Sequence, residues 1–182
     1  MKINISTNDL SKAISLGGNT LGSNSDITSH FVFVKDGKDA SILSCSLPKT
    51  FTKVPLIGAT VTGEGSFTME GKRLSQAISA VSGNLEISPT DEGGRVNLKS
   101  EKGELELPSL DPSNFPDWLD RLDQATTLKK VDSDVIYESL NSLKSYVCLN
   151  ESRGEISMCY FKDGYIYACD GYGMSVCQHE SI

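Results

Sequence analysis

The 182-residue sequence predicts an α+β fold built from a repeated β-α-β-β-β unit, with helices on one side and antiparallel sheets on the other. Three observations carry the prediction. LSKAIS at 10–15 recurs as LSQAIS at 74–79, an offset of 64 residues. Each copy follows a short alternating run, KINIS at 2–6 and SFTM at 66–69, and each sets apolar residues at helical spacing: Leu10, Ala13, Ile14 and Gly17, then Leu74, Ala77, Ile78 and Val81. FVFVKDG at 31–37 resembles MCYFKDG at 158–164, 127 residues later, and Asp-Gly between alternating apolar runs is a hairpin signal.

In chain order, the first repeat reads as a strand over 2–6, a helix over 7–21 and alternating or β-branched strands over 30–36, 39–46 and 51–62, with a turn at Gly37. The second reads as a strand over 66–69, a helix over 70–82 and strands over 84–89, 94–100 and 103–108, punctuated by Gly65, Gly83, Gly93-Gly94 and Gly103. The stretch 108–125, PSLDPSNFPDWLDRLDQA, holds three of the six prolines and the only tryptophan, and reads as an interdomain connector with Phe115 and Trp118 packed down. TTLKKV at 126–131 then reads as a strand, and Ile136, Leu140, Leu143 and Val147 share one face of a helix over 133–147. The expected domains are 1–122, made of units 1–63 and 64–122, and 123–182, the first half of a second domain. A full third unit would reach about residue 190, counting 64 residues from 127. A half-domain leaves a sheet edge unpaired, so the expectation is either a shortened chain or pairing between chains.

Composition narrows the function. Seventeen Lys and Arg against 24 Asp and Glu give a net charge of −7, which argues against coating nucleic acid through bulk charge but not against enclosing DNA. No apolar run approaches a membrane span, and MKINISTNDL has no apolar core after Lys2, so a soluble, cytoplasmic protein is expected. The five cysteines are odd in number and sit mostly in alternating apolar segments, as reduced core cysteines do. Catalysis finds little footing. His30 and His179 have no partnered nucleophile, no serine lies in a Gly-x-Ser-x-Gly elbow, and Gly17-Gly18 and Gly93-Gly94 precede no phosphate-binding Lys-Ser/Thr. Cys169, Cys177 and His179 lack the Cys-x2-Cys pairing of structural zinc sites, so no metal and no cofactor are expected.

Several segments, taken in order, resemble one family. MKINISTNDLSKAIS is similar to its first strand-helix, and FTMEGKRLSQAISAVSGNLEI to its second, with the basic pair Lys72-Arg73 opening the helix. ELPSLDPSNFPDW resembles its end-of-domain segment, and YIYACDGYGMSV the strand of its second domain that ends in Asp-Gly. The family is the bacterial-type DNA sliding clamp, the β subunit of the replicative polymerase, with its phage relatives. The resemblance implies the DNA-clamp fold: closed homo-oligomeric rings, helices lining the hole, sheets outside, and non-catalytic tethering of a polymerase to double-stranded DNA by encirclement.

The resemblance also implies sites. Lys12, Lys72, Arg73 and Lys144 are the helix cations placed near phosphates, against the plain alternative of solvated helix faces. Over the three expected helices, four cations and four acidic residues cancel, leaving the −7 on the rest of the chain. Where the family presents a basic residue after the first helix, this chain has Ser23, Asn24 and Ser25, so a contact from Asn24 would be a neutral hydrogen bond; the counterpart in the third unit keeps Arg153. The family's pocket for short peptides of polymerase and clamp loader would have Ile156, Cys169, Gly171, Tyr172 and Met174 as one wall, although Tyr172-Gly173 replaces the family's basic pair. Two rivals stand beside this reading: a clamp-fold interaction module that closes no ring, and a cysteine-dependent enzyme, which no spacing supports.

Overall fold

Ser6 ends the first strand and starts the first helix. Its Oγ accepts from the Asp9 N–H at 3.1 Å and donates to Asp9 Oδ2 at 2.7 Å, so one side chain caps the helix and fixes the first acidic residue in its opening turn. This is a computed structural model, and it describes residues 1–22, 26–46, 50–116 and 131–179. The chain divides into two compact units, Met1–Asp117 and Trp118–Ile182.

The first unit contains β1 (Lys2–Ser6), α1 (Thr7–Gly18), β2 (His30–Asp36), β3 (Asp39–Ser46), β4 (Thr50–Pro55) and β5 (Thr60–Thr62), then β6 (Ser66–Glu70), α2 (Gly71–Ser79), β7 (Asn84–Pro89), β8 (Arg95–Ser100) and β9 (Gly103–Pro108). These form two antiparallel sheets, ordered β5-β1-β7-β8-β9 and β4-β3-β2-β6. Each repeat lends its first strand to the other repeat's sheet. β1 pairs with β7, placing Ile3 opposite Ile87 and Ile5 opposite Leu85, while β6 pairs with β2, placing Phe31 opposite Met69 and Phe33 opposite Phe67. The Phe33 and Phe67 rings stack at 5.0 Å. All eight of these side chains are buried in one core with Leu10 and Leu74 from the helices. Burial of each aromatic contributes on the order of 1.5–3 kcal/mol.

The repeat and the α+β order match the expectation, and the departures have local causes. α1 stops at Gly18 and α2 at Ser79, short of the expected 21 and 82, where backbone bonds such as Thr20 N to Gly17 O tighten into turns. The expected strand over 51–62 is two strands in different sheets, because the chain turns at Leu56–Gly58 and crosses from β4 beside β3 to β5 beside β1. In the connector, the Phe115 ring meets Phe51 edge-on at 5.7 Å, whereas Trp118 lies outside the described residues. A second anchor holds this connector. The Thr68 hydroxyl, fully buried, accepts from Leu110 N at 2.8 Å and donates to Leu110 O at 3.0 Å, which leaves a lone pair for His30 Nδ1, 3.2 Å away.

The second unit contains α3 (Ser133–Leu143), β10 (Tyr160–Lys162), β11 (Tyr165–Cys169) and β12 (Met174–Gln178), the strands forming a sheet in that order. Leu143, Ile166 and Ala168 are buried between helix and sheet, with Ile136, Leu140, Val147, Cys159 and Cys177 partly buried around them. The expected helix over 133–147 gives way after Leu143 to a 3-10 turn over Lys144–Tyr146. TTLKKV falls almost wholly outside the described residues. All five cysteines are free thiols.

The third repeat is a copy of the first at an offset of 126, not 127. The helix N-caps Ser6 and Asp132 are 126 apart, and so are the strand-end pairs that close the hairpins, Asp36 with Asp39 and Lys162 with Tyr165. The Lys-Asp-Gly triplets are one residue out of step because the turns differ. Gly37 is the first loop residue in one hairpin, while Asp163 and Gly164, both at positive φ, form the loop of the other.

Candidate nucleic-acid interface and peptide pocket

In the first unit α1 and α2 lie side by side, and the groove between them is lined by Ser11 and Ser15 of one helix and Ser75 and Ser79 of the other, over Ile14 and Ile78. Helical spacing from Leu10 and Leu74 turns the apolar residues down onto the sheets and leaves this hydroxyl-rich face outward. The groove is neutral, and the nearby cations are mostly paired on their own helices. Lys12 Nζ lies 3.3 Å from Asp9 Oδ1, and Arg73 Nε lies 2.7 Å from Glu70 Oε2. The Ser6 hydroxyl first, and Lys12 second, hold the Asp9 carboxyl below its ordinary pKa. Lys72 is exposed and, among the described residues, has no ion pair. Sequence reasoning singled out these three cations but not their partners, although the i to i+3 spacings Asp9-Lys12 and Glu70-Arg73 were the signal. Asn24 lies outside the described residues.

In the second unit Lys144 follows the last turn of α3, where its Nζ donates to Asn141 Oδ1 at 2.7 Å. The helix itself carries Asp134 and Glu138 and no cation. Arg153 does not stand free either. Its Nη1 donates to the Asp170 carbonyl at 3.4 Å, and a Cβ built on Gly171 would sit 2.9 Å from Nη1, so the guanidinium lies against the β11–β12 turn. Glycine is favoured there by its φ of +93°, and a Cβ would displace the guanidinium.

That turn is held from within. Asp170 Oδ1 accepts from Tyr172 N and Gly173 N, both at 2.8 Å, and these N–H groups, with a lesser share from Arg153, depress its pKa. Cys169 Sγ accepts from Gly171 N at 3.3 Å, and Cys169 pairs in register with Met174. The structure therefore brings Arg153, Cys169, Gly171 and Met174 to one turn. Tyr172 is 96% exposed and Met174 65%. Ile156 is half-buried in the 3-10 segment Glu151–Ser157 that also carries Arg153, and its carbonyl accepts from Cys148 N. Tyr146, which the sequence did not single out, also belongs to this neighbourhood: its ring carbons lie 3.5 Å from where Gly173 would bear a Cβ. No cluster of His, Cys, Asp and Glu able to hold a metal occurs among the described residues.

No family model and no curated protein matches the chain. Solved structures do. Caulobacter crescentus pol III beta superposes with a TM-score of 0.76 at 16% identity, covering 100% of this chain and 51% of that one. The Helicobacter pylori beta clamp, solved bound to a DNA ligase peptide, gives 0.73 at 19%, covering 99% of this chain and 51% of that one. The beta subunit from DNA polymerase of Streptococcus pyogenes gives 0.74 at 14%, covering 99% and 50%. The chain spans about half the length of these structures. Its fold is the sliding-clamp fold, as the resemblance of its repeats implied.

Proposed function

We propose that this chain builds part of a ring that encloses duplex DNA and tethers a polymerase to it, acting as a non-catalytic processivity factor. The observation that carries the reading is the pairing of α1 and α2, from two equivalent repeats, into one outward hydroxyl-lined face in a sliding-clamp fold. Such a face slides well. Hydroxyls exchange hydrogen bonds with phosphates and water at little cost, and with Lys12 and Arg73 tied to Asp9 and Glu70 there is little charge to anchor the duplex at one register. Retention then depends on topology rather than affinity. Ring closure needs a sheet edge, and β9, the outer strand of the five-stranded sheet, offers one with Leu105 exposed between Glu104 and Glu106. The β11–β12 turn with Arg153, Cys169, Gly171 and Met174 is the proposed docking wall for short peptides of polymerase and clamp loader.

No helix among the described residues is long and apolar enough to cross a membrane, and a cytoplasmic site of action is part of this reading. Its test is retention after a high-salt wash, on linear DNA whose ends are blocked by bound protein after mixing and on linear DNA with free ends. Retention only on the blocked DNA is expected; equal loss from both overturns encirclement. The paired cations also favour a second reading, in which the fold serves as a protein-interaction module without DNA, and equal loss is the result it expects.

A further inference from the structure

The tie between Arg73 and Glu70 has a third party. His30 opens β2 directly opposite Glu70, the last residue of β6, and opposite residues of antiparallel strands share a face with Cβ atoms about 4.5–5.5 Å apart. On that same face the ring meets Thr68, whose hydroxyl is committed to both the N–H and the carbonyl of Leu110. Thr68 has only a lone pair left to offer, so the neutral imidazole donates from Nδ1 and keeps its own lone pair on Nε2. A proton arriving at Nε2 creates a donor and a positive charge in a residue that is 7% exposed.

The groups that can answer that charge come from every element around it. Asp26 caps the 3-10 turn before β2, and its Oδ1 is already held by the N–H and the hydroxyl of Thr28. Cys45, two residues beyond the Val32–Leu43 pair on β3, is a neutral thiol, pushed up by burial first and by Asp26 second. The connector brings Ser109 and Leu110 to Thr68, and its Asp111 carboxylate turns instead to Ser113 N at 2.9 Å. On α2, Lys72 is exposed, and Arg73 holds Glu70 through Nε. Glu70 is therefore the carboxylate that attracts a charged His30 most strongly, Asp26 attracts it less, and Arg73 opposes the charge, with burial outweighing all three.

We propose that His30 and Arg73 compete for Glu70, so that protonation of His30 releases Arg73 to a phosphate of duplex DNA, and a phosphate at Arg73 draws a proton onto His30. Repulsion between two cations that share one carboxylate is mutual, and exposure decides which of them moves. His30 is buried in the sheet and stays, while the Arg73 side chain is 58% exposed on the first turn of α2 and is free to swing outward. The first repeat has no such device: the residue equivalent to Glu70 is Ser6, and Lys12 pairs with Asp9 inside its own helix. Linkage makes the two effects equal, since what a proton does for phosphate binding, phosphate does for the proton. The proposal rests on the reading of this helix face as one that meets DNA, and it makes the hold on Arg73 conditional. Arg73 is tied at neutral pH and released as pH falls below about 6.5.

The experiment has two arms, both on the 182-residue chain. In the first, without DNA, the His30 ring is titrated by NMR, with His30→Gln separating its signal from that of His179. Its pKa should rise in Arg73→Gln, which removes the repelling charge, and fall in Glu70→Gln, which removes the attracting one. In the second, binding of a short blunt duplex, which needs no closed ring, is measured at several salt concentrations from pH 7.5 to 5. Affinity should rise several-fold as pH falls, and the slope of log affinity against log salt should steepen by about one phosphate contact. Glu70→Gln should show the steep slope at every pH and His30→Gln the shallow one. A His30 pKa indifferent to both substitutions, a duplex bound no more tightly at pH 5 than at 7.5, or a pH-dependent slope that persists in His30→Gln overturns the proposal. Where His30→Gln fails to fold, a pH-dependent slope that persists in Glu70→Gln overturns it instead. Loss of retention on end-blocked DNA sinks encirclement and leaves both arms unchanged, so the two failures are separate results.

Discussion

Asp9 and Arg73 occupy the same position, the third residue of equivalent helices 64 residues apart, and carry opposite charge. Each is paired within its own helix turn, Asp9 to Lys12 and Arg73 to Glu70. Of the three helix cations in this unit, Lys72 is the one without an ion pair among the described residues.

Releasing a cation should therefore change how this face meets DNA. Glu70→Gln frees Arg73 without changing side-chain size. Binding at low salt should strengthen, and the slope of log affinity against log salt should steepen by about one phosphate contact. A slope identical to that of the unsubstituted chain would place Arg73 away from the duplex.

Gly71 opens α2 against a crowded wall. A Cβ there would sit 2.2 Å from Leu21 Cδ1, 3.2 Å from Phe31 Cε2 and 3.4 Å from the Ser29 carbonyl. The leucine tip can swing aside, but the buried ring and the backbone oxygen cannot. Gly71→Ala should cost about 1–3 kcal/mol, read as a lower urea midpoint of the first unit with unchanged m-value.

Both tests rest on features of different legibility. The strand-helix repeat was readable because Leu10, Ala13 and Ile14 recur as Leu74, Ala77 and Ile78, and such spacing leaves one buried face whatever else surrounds it. The hairpin at Asp163-Gly164 was equally local. Ion pairing at Lys12 and Arg73 was present as spacing, but whether a long side chain turns toward its i−3 neighbour or toward solvent depends on what else it meets. Arg153 was harder still. It is positioned by Gly171 and the Asp170 carbonyl, 17 residues away across a turn, and no local pattern reports that contact. The one-residue displacement of the Lys-Asp-Gly triplets shows the limit of motif matching, since glycine marks the turn type rather than the strand register.

Buried His30 should make stability depend on pH. Burial lowers its pKa below the ordinary 6.5, outweighing the attraction of Glu70 and Asp26. Between the folded and unfolded pKa values the unfolded chain binds more protons, so stability rises with pH there and is complete above about 6.5. It should fall as pH drops below about 6.5 and level off below the folded value. His30→Gln retains a donor toward Thr68 and should flatten the histidine-dependent part of that profile in urea titrations from pH 5 to 7.5.

At the β11–β12 turn the backbone N–H groups of Gly173 and Tyr172 lower the Asp170 pKa more than Arg153 does. Carbon-detected NMR titration of Arg153→Ala should show the Asp170 carboxyl still below its ordinary range, displaced upward only slightly. A return to the ordinary value would make the guanidinium the main support. Gly171→Ala should instead expel the guanidinium, and peptide binding should fall in both variants if this turn forms the docking wall.

The exchange of first strands between repeats also has a consequence for the order of events at the ribosome. β1 carries Ile3 and Ile5, whose partners Ile87 and Leu85 are synthesised 80 or more residues later. At roughly 5–20 residues per second, the first strand waits about 4–16 s for β7, with only the three-residue β5 to pair with before then. During that interval α1 can form, capped by Ser6 and Asp9, but its apolar face has no finished surface to rest on. The nascent β1–α1 segment is thus a client for whatever shields apolar segments during translation, and slowing elongation between residues 6 and 84 should lower the yield of folded chain more than an equal delay after residue 108.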